Sequence, residues 1–237
     1  MNLFVVGTDT GIGKTFISAG LVRALRVLGR DAVALKPVAS GFDQGPAGRR
    51  NEDIEALRAA ADGALSASQI NVYGFDQPIA PHRAAELAGV EIELEPICQS
   101  CFAAVRAHQD VLVEGVGGFA VPLSSRWMLS DLVRALDLPV LLVVGLRLGC
   151  INHALLSAQA VVAAGLSLTG WVANALDTGM EQQEASVDAI AQRLAAPRLG
   201  TISRNAPEQE FLRLAQSLLR AKDTAKRADP TPQHREP

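Results

Sequence analysis

Leu3-Phe4-Val5-Val6-Gly7-Thr8-Asp9-Thr10-Gly11-Ile12-Gly13-Lys14-Thr15, followed by Phe16-Ile17-Ser18-Ala19-Gly20-Leu21-Val22, is the stretch that decides the fold of this chain. An apolar run gives way to a glycine-rich turn, after which apolar residues recur at helical spacing. The glycines therefore join a buried strand to a helix. Glycines at such a turn let backbone N–H groups close around an anion, and the helix N-terminus favours negative charge there. Lys14 adds a point charge, and the Thr15 hydroxyl is of the type that ligates Mg²⁺. The spacing Gly-x5-Gly-Lys-Thr is about one residue longer than the common phosphate-binding loop. A turn that merely connects two elements has no use for Lys-Thr at the helix start.

The rest of the chain suits a single α/β domain over residues 1–221. Of its 237 residues 49% are hydrophobic, enough for one large core. A net charge of −3 and a pI near 5.8 provide no broad basic field, so no nucleic-acid partner is expected. No apolar run reaches the length of a membrane span, and the N-terminus passes straight into a strand, so a cytoplasmic protein without a membrane partner is expected. Cys98, Cys101 and Cys150 form no even framework. Cys98-Gln-Ser-Cys101 has CxxC spacing, but inside a predicted helix and without a second ligand pair it reads as helix packing.

Downstream, apolar strands alternate with helical patterns, and polar residues gather where strands end. Ala32-Val33-Ala34-Leu35 leads to Lys36-Pro37-Val38-Ala39-Ser40-Gly41, placing a cation and a hydroxyl at a strand's carboxyl end, where open α/β sheets bind ligands. Residues 42–50 read as a mobile loop over the site. Asn51-Glu52-Asp53 opens a helix; Asp53 is either a first-turn carboxylate or a Mg²⁺ ligand, and spacing leaves both open. Residues 66–96 are less regular, and His82 after Pro81 reads as a helix-start or packing residue. A helix is expected over 95–108. Asp110-Val111-Leu112-Val113-Glu114 is a strand ending in a carboxylate of the type that holds Mg²⁺ beside a phosphate-binding loop, and Gly115-Val116-Gly117-Gly118 then lets the chain pass close to a phosphate. Pro139-Val140-Leu141-Leu142-Val143-Val144 reads as a central strand. The glycine-bearing loop after it runs into a helix beginning near Asn152, which is an N-cap, an anion contact or both. A strand over 168–173 ends at Asn174-Ala175-Leu176-Asp177, a base-pocket pattern like that of GTPases without its lysine. A helix over 181–195, a strand over 199–202 and a helix over 208–221 follow, then a tail over 222–237 expected to be disordered. The expected architecture is a mostly parallel central sheet with helices on both faces, a three-layer P-loop NTPase-like fold.

Several of these blocks together resemble the dethiobiotin synthetase family: the opening loop, Lys36-Pro37-Val38-Ala39-Ser40-Gly41, Val113-Glu114-Gly115-Val116-Gly117-Gly118, Leu148-Gly149-Cys150-Ile151-Asn152-His153-Ala154 and Gly170-Trp171-Val172-Ala173-Asn174. The resemblance runs from residue 3 to about 205 in the family's order. It implies an ATP- and Mg²⁺-dependent ring closure in which 7,8-diaminononanoate takes up CO₂ as a carbamate, ATP phosphorylates the carbamate, and the second amine displaces phosphate. On that resemblance Lys14 and Lys36 neutralise the phosphoryl group and the carbamate, and Thr10 and Ser40 hydrogen-bond carbamate and amines. Thr15, Asp53 and Glu114 hold Mg²⁺. Gly11, Ile12, Gly13, Phe16, Gly115, Val116, Gly117 and Asn174 complete the ATP site. Gly149, Cys150, Ile151 and Asn152 hold the substrate carboxylate across a homodimer interface. Two positions depart from the family: Gly11 where an acidic residue is common, and Ser203-Arg204-Asn205 where a proline-led segment is expected. A partitioning or cell-division ATPase shares this core, but such proteins carry a signature lysine where this chain has Asp9.

Overall fold

Six strands form one wholly parallel sheet in the computed structural model, which describes residues 1–45, 48–176 and 180–228. In chain order the elements begin β1 (Asn2–Gly7), α1 (Lys14–Val27), β2 (Ala32–Leu35), β3 (Val38–Ser40), β4 (Asp43–Gly45), β5 (Gly48–Arg50), α2 (Glu52–Ala60), α3 (Ala67–Ile70), β6 (Tyr73–Phe75) and α4 (Pro81–Leu87). They continue with α5 (Leu94–Ala107), β7 (Asp110–Gly118), α6 (Leu129–Leu136), β8 (Val140–Leu146), α7 (Cys150–Ala163), β9 (Leu168–Ala175), α8 (Gln183–Ala191), β10 (Arg198–Ile202) and α9 (Glu208–Ala228). The strand order is β10-β9-β8-β1-β7-β2, so β1 lies between the strands that carry Glu114 and the apolar run 140–146.

The central strands are apolar throughout because both faces are covered. Every residue of β8 is buried, as are Leu3, Phe4, Val5 and Val6 of β1. Helix α1 packs against α2 and α9, α5 against α6, and α7 against α8. Helix α1 buries Ile17, Leu21, Val22 and Leu25, residues at three- and four-residue spacing. A parallel sheet sends all its carboxyl ends to one edge. The segments that follow β1, β2, β7, β8 and β9 are therefore neighbours there despite their separation in sequence.

Four local expectations are corrected. Residues 42–50 are not simply a loop: β4 and β5 pair antiparallel, and the Arg49 guanidinium lies 4.0 Å from the centre of the Phe42 ring and pairs with Asp76 at 2.6 Å. Gly115-Val116-Gly117-Gly118 does not leave the sheet, since β7 runs through Gly118 and pairs it with Gly7 across a bulge. Helix α7 starts at Cys150 rather than near Asn152; its N-cap is Gly149, whose φ of 94° only glycine adopts freely. Helix α9 continues to Ala228, beyond the expected end at residue 221, because no proline interrupts the good helix formers until Pro230. Residues 229–237 of the expected tail lie outside the described residues, as does Asp177.

Candidate active site

The loop after β1 ends at Gly13, which caps α1 in the left-handed conformation (φ 81°) and offers no side-chain cap, and α1 has no acidic residue in its first turn. The first N–H groups of α1 are thus left for an anion. Asn174, at the end of β9 and 2% exposed, holds the loop from behind: its Nδ2 donates to the Ile12 carbonyl at 2.8 Å, and its Oδ1 is buried without a partner. A Cβ on Gly13 would lie 2.2 Å from Asn174 Nδ2, so the close approach requires glycine here.

In front of the loop lies a cleft of about 850 Å³. Thr10, Gly11, Gly13, Lys14, Thr15 and Phe16 line one side of it, while Lys36, Ser40, Asp53, Glu114, Val116 and Gly117 converge from the segment after β2 and from β3, α2 and β7. Lys14 is 7% exposed; its Nζ donates to the Gly117 carbonyl at 2.6 Å and to the Asp9 carbonyl at 3.2 Å. Burial lowers its pKa to about 8, against the opposing pull of Glu114. Lys36 sits among carboxylates. Its Nζ donates to Glu114 Oε1 at 2.9 Å, to Asp53, and at 3.5 Å to Thr15 Oγ1. Burial pulls the Lys36 pKa down, but Glu114 and Asp53 more than reverse this and hold the ammonium above the usual lysine range. Burial raises and Lys36 lowers the Asp53 pKa, with a net fall.

Thr15 Oγ1 donates to Glu114 Oε1 at 2.6 Å, and Glu114 Oε2 is buried with no partner. One hydroxyl and two carboxylates thus surround the Lys36 ammonium, and both bonds to Glu114 use the same oxygen. Hard oxygen donors of this kind and number suit Mg²⁺, which retains waters and shares phosphate oxygens rather than filling an all-protein cage. No group of three His, Cys, Asp or Glu residues able to hold a metal occurs among the described residues. Ser40 Oγ is likewise buried without a partner.

The remaining expected residues lie elsewhere. Ile12 is buried at 1%, and a Cβ on Gly115 would meet Leu129 and Phe4 at 2.9 and 3.0 Å, so both support the cleft from behind. Gly11 (φ 70°) has open space where a side chain would stand, so no contact from this position replaces the acidic one common in the family. Gly149, Cys150, Ile151 and Asn152 do not line this cleft. They sit at the N-terminus of α7, beside Leu148, which is 96% exposed, and Arg147, which pairs with Asp9 of the phosphate loop. His82 stands second in α4 outside the cleft. The Cys98 and Cys101 thiols are buried on α5, and burial pushes Cys101 up to about 12, far from the thiolate a redox or metal role needs.

Sequence patterns did not reveal the cleft's apolar wall, formed by Pro78, Ile79, Ala80 and Pro81 before and at α4 and by Val121 and Pro122 after β7. Isolated prolines and aliphatics in irregular segments carry no periodic signal. A second cleft of about 550 Å³ lies at the ends of β9 and β10, lined by Ala175, Met180, Gln182, Ser203 and Arg204 among others. There Ser203 is fixed by Glu210, which accepts from its N–H at 2.8 Å and its hydroxyl at 3.0 Å.

A family model described as an AAA domain matches residues 1–209. The ATP-dependent dethiobiotin synthetase BioD of Xanthomonas oryzae pv. oryzae (strain PXO99A) is 51% identical over 216 residues, covering 91% of this chain and 96% of the relative. The protein of the same name from Pseudomonas paraeruginosa (strain DSM 24068 / PA7) is 50% identical over 202 residues, covering 85% of this chain and 89% of that one. Among solved structures the MinD cell division protein of Aquifex aeolicus superposes with a TM-score of 0.58 at 15% identity, covering 99% of both chains, a likeness of fold alone.

Proposed function

Because this chain belongs to the ATP-dependent dethiobiotin synthetase family, we propose that its cleft closes the cyclic urea of dethiobiotin from 7,8-diaminononanoate, CO₂ and ATP. It is an ATP-dependent ligase of biotin biosynthesis. The observation that carries the assignment to this cleft is the convergence of Thr10, Lys14, Lys36, Ser40, Asp53 and Glu114 in one space beside the phosphate loop.

One amine of the substrate adds to CO₂ and loses a proton, giving a carbamate. A carbamate oxygen then takes the γ-phosphoryl group of ATP, releasing ADP. The second amine attacks the activated carbon, and phosphate leaves as the urea ring closes. Charge accumulates on phosphoryl and carbamate oxygens throughout, so fixed cations and donors are the main requirement. Lys14 serves the γ-phosphate, and backbone N–H groups from Gly11 to Phe16 bind the phosphate chain. Lys36 neutralises the carbamate, while the Thr10 and Ser40 hydroxyls orient it and the amines. The unpartnered Ser40 Oγ supports that role. Thr15, Asp53 and Glu114 hold Mg²⁺, which adds charge stabilisation at the phosphates when bound. Gly115, Val116 and Gly117 complete the nucleotide contacts, and Asn174, whose Oδ1 has no partner, would read the adenine. The apolar wall at Ile79 and Val121 packs the aliphatic chain.

Gly149, Cys150, Ile151 and Asn152 stand apart from their own cleft at a helix N-terminus suited to a carboxylate. Together with exposed Leu148 this supports a homodimer in which each α7 serves the partner's cleft. The chain is a single domain that takes in α9, and its reaction belongs to the cytoplasm, where ATP is supplied; among the described residues no helix is long and apolar enough to cross a membrane. The partitioning-ATPase reading is not favoured: Asp9 takes the place of that class's signature lysine and is engaged by Arg147.

The test supplies purified protein with ATP, MgCl₂, 7,8-diaminononanoate and ¹³C-bicarbonate and follows products by mass spectrometry. The expected result is ADP and dethiobiotin bearing the label in its urea carbon. Folded protein that binds ATP but forms no labelled urea would overturn the assignment.

A further inference from the structure

Strand β3, which carries Ser40, does not belong to the main sheet. Its partner is the equally short β6, through the pairs Val38–Tyr73, Ala39–Gly74 and Ser40–Phe75. Lys36 and Ser40 therefore lie on a strap outside the six-stranded sheet, and side chains fix its ends. At the Lys36 end, Asn71 Nδ2 donates to the Lys36 carbonyl at 2.8 Å and the Pro37 carbonyl at 3.3 Å. At the Ser40 end the chain turns at Gly41 (φ 82°), makes the β4–β5 excursion and returns at Asn51.

Asn51 is 7% exposed and closes the neck of that excursion. Its Nδ2 donates to the Ser40 carbonyl, eleven positions away, at 3.2 Å and to the Gly41 carbonyl at 3.0 Å. Its Oδ1 accepts from the Ile54 N–H at 3.3 Å, capping α2, whose first turn carries Asp53. One amide thus binds the strap to the helix, using both of its donors and an acceptor.

We propose that Asn51 is a positioning residue for the reaction, holding Ser40 and Asp53 in register in the cleft they share with Lys36. The inference rests on the proposed function of the cleft. Serine at position 51 keeps a good helix cap but is too short to reach the two carbonyls. Aspartate keeps the cap and the shape but turns an acceptor toward two acceptors.

The experiment compares wild type, Asn51→Ser, Asn51→Asp and Asn51→Ala in dethiobiotin formation, with Tm and the KM for ATP measured alongside. For Asn51→Ser the expected result is a Tm within about 2 °C of wild type, an ATP KM within about twofold and a kcat lower by about tenfold or more, as small displacements of reacting groups cost. Asn51→Asp is expected to lose kcat similarly and decides the question if the serine variant does not fold. A simple helix cap would be rescued by serine, so a serine or aspartate variant with kcat within about twofold of wild type overturns the inference. Failure of wild type to form product would instead overturn the functional assignment.

Discussion

Replacing Lys36 with methionine keeps most of the side chain's length and apolar volume but removes the ammonium between Asp53 and Glu114. At 2.9 Å from Glu114 Oε1, the attraction at an effective dielectric constant near 20 is about 6 kcal/mol before desolvation. Removing one member of a buried pair costs about 3–5 kcal/mol net, because the other charge stays buried without its partner. The Asp53 side chain is 44% exposed, so water screens its share and the lower end applies. About 3 kcal/mol in a domain of this size corresponds to a Tm roughly 6–12 °C lower in metal-free buffer. If Asp53 and Glu114 are metal ligands, MgCl₂ supplies the missing cation, and the variant's Tm rises more on its addition than that of wild type. Turnover is expected to fall about 10²–10³-fold even with Mg²⁺ present, since in the proposed reaction the carbamate loses its counter-charge. Scanning fluorimetry with and without MgCl₂, paired with the labelled-bicarbonate assay, reads both effects. A Tm within about 2 °C of wild type in metal-free buffer, together with turnover within about threefold, would refute the reasoning.

Ser40→Ala separates chemistry from stability. Its Oγ has no partner, so Tm is expected to stay within about 2 °C while kcat in the same assay falls about tenfold or more; a fall in Tm with unchanged kcat would reverse the assignment. Gly13→Ala places a Cβ 2.2 Å from Asn174 Nδ2 at a φ of 81°, and calorimetry is expected to show ATP affinity reduced by about tenfold or more for about 1–3 kcal/mol of strain. Asp110 is fully buried and accepts from Arg30 Nη2 at 2.9 Å. Burial raises its pKa, but the Arg30 hydrogen bond helps bring the net value below the ordinary 3.8. A depressed carboxylate pKa contributes stability that is complete above the unfolded value and disappears as pH falls through the folded one. Urea unfolding should therefore show wild type more stable than Asp110→Asn by about 3 kcal/mol near neutrality, with the gap closing below pH 3.8.

The parallel sheet was legible because its strands are continuous apolar runs, and the gathering of the polar residues in one cleft was legible for a related reason. Thr15 and Lys36 follow strands β1 and β2, and Glu114 lies in β7 beside Val5 of β1, toward the edge on which a parallel sheet gathers its carboxyl ends. Asp53 was ambiguous since a first-turn carboxylate and a ligand occupy the same position; its proximity to Lys36 depends on the fold of the strap, which spacing does not encode. The strap itself was illegible: β3 and β6 have three residues each, too few to show period-two alternation. Asn51 and Asn71 act through backbone carbonyls, and no residue pattern records which carbonyls a folded chain leaves unclaimed. The start of α7 was misplaced by two residues because Gly149 caps it through its backbone conformation, whereas the reading sought a polar side chain.

The two halves of the cleft differ in what must open to free their amide protons. Glu114 lies within β7, in register with Val5 of the central strand β1, and its exchange with deuterium is tied to opening of the sheet itself. The strap at Lys36, Ser40 and the neck closed by Asn51 is joined to a three-residue strand and two asparagine amides, so it can open while the sheet stays intact. Deuterium uptake should then divide the cleft residues into a slow set and a fast set, and a nucleotide in the cleft should slow only the second.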